Sequence, residues 1–321
     1  MPRDKGAGAG RRARTSGGES GTVSLAAGAI GPEPIEAVQP SKLAPGLYVV
    51  ATPIGNLGDI TLRALKILAG SSAVLCEDTR VTGKLLARFG IAARKIPYHD
   101  HNAERARPGI LRRLKAGEAL ALVSDAGTPL VSDPGYKLVR DAIAEGIAVT
   151  AIPGASAALN ALVLSGLPPD VFLFGGFLPA KSAARKRSLQ EWKSVRATLL
   201  FYETAPRLAD SLADMAEVLG DRPASVSREL TKLYEEVKRG TLAGLAAFYR
   251  EAGAPRGEVV VAVGPPAGPA SDTGGPGLDR ALEKALAGAS LRQAVADVAA
   301  ATGLPRRLVY ARALHLKGER R

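Results

Sequence analysis

The sequence predicts an α/β fold of two compact domains followed by a small helical segment, and three observations carry that prediction. Apolar strand-like runs alternate with helix-like stretches along most of the chain, the rhythm of βαβ units on a largely parallel sheet. The rhythm breaks at Gly166-Leu167-Pro168-Pro169-Asp170 and then resumes, which divides it into two series. A chain of 321 residues is long enough for two such domains with tails.

Residues 1–45 are rich in Gly, Ala, Ser and Pro, lack periodic hydrophobicity, and are expected to form a disordered tail. Arg3, Lys5, Arg11, Arg12 and Arg14 are followed by no apolar stretch, so this end does not read as a secretory signal; Asp4 and Glu19 argue against a transit peptide. The first domain is expected over 46–166. It opens with a strand over 47–51 and the turn-rich Thr52-Pro53-Ile54-Gly55-Asn56-Leu57-Gly58-Asp59, and a helix starts near Ile60. Strands at 73–76, 119–123 and 148–152 follow, with helices from about Arg80 and over 135–145. The second, smaller domain is expected over 167–264. Its strands are 171–174, 198–202, 224–227 and 258–263, with a basic helix from Ser182 and another over 205–219. Residues 265–277 have the Gly-Pro composition of a linker. The segment 278–321 has helical spacing, and Thr302-Gly303 stands between two helices as the turn of a helix-turn-helix.

Net charge is +12, from 43 basic and 31 acidic residues, which suits a polyanionic partner, although a generic excess also serves solubility. No apolar run reaches bilayer length, so no membrane contact is expected. Cys76 is the single cysteine; an intramolecular disulfide and a thiolate zinc site are excluded, no metal is expected, and a reducing, cytoplasmic setting fits.

The most informative stretch is Val123-Ser124-Asp125-Ala126-Gly127-Thr128-Pro129-Leu130-Val131-Ser132-Asp133-Pro134-Gly135, which leaves a buried strand and runs into a helix. Its small residues let backbone groups approach a ligand, and Asp125 stands at the strand's carboxyl end, where open α/β sheets bind ligands. A plain Pro- and Gly-rich connection is the alternative. Ile152-Pro153-Gly154-Ala155-Ser156-Ala157 likewise joins strand to helix, and Ser156 either caps that helix or meets a ligand. Gly55 and Gly58, with Glu77 and Asp78 about 20 residues on, miss the G-x-G-x-x-G spacing, and no P-loop exists; NAD and P-loop ATP chemistry are set aside.

Ala51-Thr52-Pro53-Ile54-Gly55-Asn56-Leu57, Glu77-Asp78-Thr79-Arg80, His99-Asp100-His101-Asn102, the Asp125 loop and Gly176-Phe177-Leu178-Pro179-Ala180-Lys181 occur in order between about 46 and 264. In these motifs the chain resembles the small-subunit ribosomal RNA methyltransferase I family of the tetrapyrrole methylase superfamily. The resemblance implies two α/β domains with S-adenosylmethionine in the cleft between them, a homodimer, and methyl transfer to the ribose 2′-oxygen of a cytidine in the decoding region of 16S rRNA, free or in the small subunit. It also implies that Asp125, Ala126, Gly127 and Thr128 hold the methionine end of the cofactor. Pro53, Ser156 and Ala157 would line the same cleft, with Tyr202 and Glu258 on the adenosine side. Two positions depart from the family pattern: Ala155-Ser156 stand where relatives carry Pro-Cys, and Pro206 stands where His is frequent.

A ribose hydroxyl is a poor nucleophile, so a positioned base helps. Asp78, His99, His101 and Glu203 are the candidates, drawn from a wider set that includes Glu77, Asp100 and Glu229. His99 and His101 alternate on a short segment and would face one side if extended. The bland readings are a polar loop whose Asn102 caps the next helix and, for Glu77-Asp78-Thr79-Arg80, a helix N-terminus. Lys181, Arg185, Lys186 and Arg187, with Lys193 and Arg196, cluster on and around one expected helix and suit RNA phosphates, as do Arg306 and Arg307. A solvated helix face is the alternative. Two rival functions remain open: a tetrapyrrole C-methyltransferase of the same fold, and a DNA-binding regulator built on the helix-turn-helix.

Overall fold

The computed structural model describes residues 42–266 and 276–318. Residues 1–41 of the tail expected over 1–45 and residues 267–275 of the linker expected over 265–277 lie outside the described residues; a helix begins at Pro276, within the expected linker. The chain forms two units, divided between Pro265 and Pro266.

The first unit contains two five-stranded sheets. The first has β1 (Gly46–Val50), β2 (Ala73–Cys76), β3 (Lys95–Pro97), β4 (Ala119–Val123) and β5 (Val149–Ile152). Their order is β3-β2-β4-β1-β5, with every neighbouring pair parallel. Helices α1 (Leu62–Gly70) and α2 (Thr79–Arg88) pack on one face, α3 (Ala103–Lys115) and α4 (Tyr136–Ala144) on the other. The central strands β1, β2 and β4 therefore bury both faces and read as unbroken apolar runs, while the edge strands β3 and β5 are largely exposed. Val74, Cys76, Ala121 and Val123 join Leu65, Leu68 and Leu86 on the first side. Ala73, Leu75, Leu120 and Leu122 meet Leu114 and Leu138 on the second. The adjacent strands β1 and β4 send their chains to helices on opposite faces, which opens a crevice at their carboxyl ends.

The second sheet has β6 (Phe172–Phe177), β7 (Thr198–Thr204), β8 (Pro223–Arg228), β9 (Glu236–Thr241) and β10 (Glu258–Val263), ordered β6-β7-β10-β8-β9. Only β6 and β7 run parallel. One face buries Leu199, Phe201, Val226 and Val261 beneath α6 (Ser182–Trp192), α7 (Leu208–Leu219) and α8 (Leu242–Ala252). The other face is covered by α5 (Ala157–Ser165), the helix that follows β5. Ala158, Ala161 and Leu162 of α5 pack on Leu200, Val260 and Ala262.

Some expectations shift. The helix expected from 205 begins as a single 3-10 turn over Ala205–Arg207, with Pro206 in that turn, and becomes α-helical at Leu208. Asn102 does not cap α3 through its side chain. Its Oδ1 accepts from His99 N–H (2.9 Å) and its amide donates to the Pro97 carbonyl (2.9 Å), so the side chain closes the preceding turn.

The second unit holds α9 (Pro276–Leu286), α10 (Leu291–Thr302) and α11 (Arg306–Gly318). Ser290 caps α10, and Gly303 ends it in the left-handed conformation (φ 69°) that the turn requires. Leu278, Leu282, Val295, Val298 and Val309 form its own core, and Arg312 pairs with Asp279 at 2.7 Å. No described helix is long and apolar enough to cross a membrane, and the described residues contain no cluster suited to a metal ion.

Candidate functional site

The loops that follow β1, β4 and β5 are tied together by their own backbones. Thr52 and Gly127 exchange both N–H···O=C bonds (2.9 and 3.0 Å), and Thr52 Oγ1 donates to the Ser124 carbonyl (3.1 Å). Thr128 Oγ1 donates to the Ala155 carbonyl (3.2 Å), which links the β4 loop to the β5 loop. Gly127 sits at φ +79°, and a Cβ on Gly154 would press on Ala51 at 2.9 Å, so both contacts depend on the missing side chain. Ser156 accepts from Leu159 N–H and caps α5.

These loops and the second sheet enclose a cavity of about 530 Å³. Of the residues expected at the cofactor, Ala126, Gly127, Thr128, Ser156, Ala157, Tyr202 and Glu258 line it. Pro53 and Asp125 do not. They line a second cavity of about 450 Å³, which shares Ile54, Ala126 and Glu258 with the first. Val131, Ser132, Asp133 and Phe177, which lie within the stretches singled out from the sequence but outside the expected cofactor set, also stand on the wall of the first cavity, as does Val260. Val131 to Asp133 belong to the Asp125 loop, and no glycine advertises the bend that Leu130 (φ 72°) and Ser132 (φ 69°) make there.

The electrostatics centre on Asp133. Burial, reinforced by the carboxylates of Glu77 and Asp125, pushes its carboxyl up to about 6. Burial also raises Glu77 and the Tyr202 hydroxyl. Asp125 Oδ1 accepts from Asp78 N–H (3.1 Å), so the loops after β2 and β4 are joined as well. Across the cavity, Lys232 Nζ bridges Glu229 (2.9 Å) and Glu258 (3.1 Å), and Glu229 Oε1 accepts from Glu258 N–H (3.0 Å). Gly257 (φ +96°) lies directly against the Glu229 carboxylate and leaves no room for a Cβ.

The four candidate bases are held in other interactions or lie away from the two cavities' interiors. Asp78 caps α2 through Arg80 N–H and pairs with the Arg80 guanidinium at 2.6 Å; those hydrogen bonds hold its carboxyl down to about 2, which makes it a weak proton acceptor. His99 and His101 sit on a turn, not an extended segment, with ring centroids 6.0 Å apart, and neither lines either of these two cavities. Glu203 reaches the first cavity's wall, but its side chain is fully buried and accepts from Thr204 N–H, the Ser211 hydroxyl and Arg207. Its oxygens are taken up by these donors.

The basic cluster also divides. Lys181 and Arg187 are exposed, as are Arg306 and Arg307. Arg185, expected at RNA phosphates, is 3 % exposed and is spent on Asp214 (2.7 Å) and the carbonyls of Pro179 and Ala180. Lys186 is half-buried and pairs with Glu217 (2.6 Å) and Asp214 (3.5 Å). One face of α6 is thus a packing face, and an inward arginine cannot meet a phosphate.

Residues 46–246 match the model of the Tetrapyrrole (Corrin/Porphyrin) Methylases, and residues 272–317 match that of the RsmI C-terminal HTH domain. The chain is 51 % identical over 276 residues to Ribosomal RNA small subunit methyltransferase I of Mesorhizobium japonicum, covering 86 % of this chain and 93 % of that protein. It is 55 % identical over 275 residues to the protein of the same name from Erythrobacter litoralis, covering 86 % and 96 %. Among solved structures, a conserved hypothetical protein from Aeropyrum pernix K1 aligns with TM-score 0.55 and 18 % identity, over 86 % of this chain and 98 % of that one.

Proposed function

Because this chain belongs to the tetrapyrrole (corrin/porphyrin) methylase family, we propose that it is a cytoplasmic enzyme that transfers a methyl group from S-adenosylmethionine to small-subunit ribosomal RNA, at a cytidine ribose 2′-oxygen in the decoding region. The carrying observation is the cavity of about 530 Å³ at the carboxyl ends of β1 and β4, built from closely tied loops. The shared name of relatives that match 86 % of the chain favours ribosomal RNA over a macrocycle as acceptor.

The residues present suit the cofactor. The cavity lies within the roughly 300–1,000 Å³ of small-ligand sites. Ile54, Val131, Phe177 and Val260 give apolar wall, Ala126 and Gly127 expose backbone, and Ser132, Thr128 and Ser156 add hydroxyls. Asp133, with Glu77 and Asp125 near it, gives the negative field that a cation prefers. When bound, the cofactor supplies a methyl carbon activated on positively charged sulfur.

The chain's own task is alignment, water exclusion and one proton transfer. The linked loops after β1, β4 and β5 fix the donor's position. Phe174 and Phe177 meet the Tyr202 ring edge-on (4.8 and 5.4 Å) and stiffen the second sheet's wall. We assign the Asp133 carboxylate to accept the 2′-hydroxyl proton: it faces the cavity, and at about 6 its pKa suits a base at neutral pH. Lys181, Arg187, Arg306 and Arg307 are the exposed cations for RNA phosphates. Leu159 and Val163, one turn apart on α5 and exposed, offer an apolar face for the second copy of a homodimer.

The test is transfer of labelled methyl to small subunits that lack the modification, with mapping of 2′-O-methylated nucleotides. Label at one decoding-region cytidine is expected. Label on a porphyrinoid and none on RNA would overturn the reading.

A further inference from the structure

The second cavity has a composition unlike the first. Val81, Thr82, Lys84 and Leu85 of α2 form one wall, at the spacing of a single helix face. Pro53, Ile54 and Leu57 supply further apolar surface. Asp125 and Glu258 place carboxylates at the side nearest the first cavity, which meets the second at Ile54, Ala126 and Glu258.

Charge is distributed unevenly across this space. Lys232 is neutralised by Glu229 and Glu258. Lys84 is exposed and enters no ion pair among the described residues. An uncompensated ammonium on one side, apolar walls for a planar ring, and the half-buried Asp125 and exposed Glu258 carboxylates on the side of the first cavity form the chemical complement of a nucleotide: phosphate, base face, and amino or hydroxyl donors.

We propose that this cavity holds the acceptor nucleotide, with its phosphate at Lys84 Nζ, its base between the α2 wall and the Pro53–Leu57 wall, and its ribose at the Ile54–Ala126 boundary. The assignment rests on the methyltransferase reading above. In-line displacement needs donor and acceptor on opposite sides of the travelling carbon, and two cavities that share one wall provide that arrangement. A base held this way has left its stack, so the site selects nucleotides that are unpaired or easily unpaired.

Two variants of the full chain test the assignment, each read by calorimetric binding of S-adenosylhomocysteine and by methyl transfer to unmodified small subunits. Val81 is 40 % exposed, so Val81→Trp fills the cavity without disturbing the core. It should abolish transfer and leave S-adenosylhomocysteine affinity unchanged. Lys84→Ala should raise KM for the subunit about tenfold, the loss of one charge-assisted contact, with kcat and S-adenosylhomocysteine affinity within about twofold of wild type. Wild-type transfer kinetics in Val81→Trp would place the acceptor elsewhere. Loss of S-adenosylhomocysteine binding in Val81→Trp would make the cavity part of the donor site and also overturn the assignment. If wild-type protein binds S-adenosylhomocysteine yet labels no RNA, the methyltransferase reading itself fails and the assignment falls with it.

Discussion

The Arg185 guanidinium and the Asp214 carboxylate meet at 2.7 Å with side chains 4 % and 10 % exposed, and they pin the basic helix α6 to α7. Removing one partner of such a pair strands the other. Arg185→Ala is therefore expected to cost about 3–5 kcal/mol of stability, and the folded fraction should bind RNA as wild type does. Denaturant titration and filter binding separate the two effects.

Lys181 and Arg187 are exposed on and beside the same helix. Lys181→Ala and Arg187→Ala should leave stability nearly unchanged, weaken RNA binding, and each reduce the slope of log affinity against log salt by about 1. A salt titration with unchanged slopes would remove them from the interface.

Asp133 gives a pH signature. Transfer at saturating substrate should rise about tenfold per pH unit below about 6 and level off above it, and Asp133→Asn should lose roughly 100-fold or more in kcat. The folded protein binds this proton more tightly than the unfolded chain, so stability falls as pH rises from the unfolded value near 3.8 through about 6. Asp133→Asn should therefore gain stability at pH 8, by about 3 kcal/mol as an upper figure, and little at pH 4. Thermal melts at the two pH values measure it.

Glu203 is expected to behave oppositely. Glu203→Gln disturbs the bonds to Ser211, Thr204 and Arg207. It should lower stability by about 1–3 kcal/mol and leave the midpoint of the pH–rate profile where it was. A shifted midpoint would return Glu203 to the reaction.

Gly257→Ala would drive a methyl into the Glu229 carboxylate, which holds Glu258 N–H and Lys232. Glu258 borders both cavities. Affinity for S-adenosylhomocysteine should fall about tenfold, and calorimetry detects it.

The strands at 73–76, 119–123 and 258–263 were legible because buried strands are continuous apolar runs bounded by breakers. β3 and β9 were not. Lys95–Pro97 and Glu236–Thr241 are polar edge strands, held by pairing with β2 and β8 rather than by their own hydrophobicity. The small-residue loops announced the first cavity, since close backbone approach needs residues of that size. Asp133 lay within the Asp125 stretch but could not be singled out, because its placement on the cavity wall depends on a bend at two non-glycine positive-φ residues, Leu130 and Ser132. Arg185 and Arg187 look alike in the sequence; which one points inward is set by Asp214, 29 residues from Arg185. Charge clustering alone cannot separate a packed arginine from a solvated one.

The position of α5 bears on how the protein is made. The helix ends at Ser165, yet its apolar partners lie on β7 and on β10, the last strand of the unit, which ends at Val263. A nascent chain therefore carries Ala158, Ala161 and Leu162 uncovered while nearly a hundred further residues are translated, roughly 5–20 s at about 5–20 residues per second. During that interval the apolar face of α5 is open to contact with other unfolded chains. A fragment that begins after α5 would leave one face of β7 and β10 without a cover.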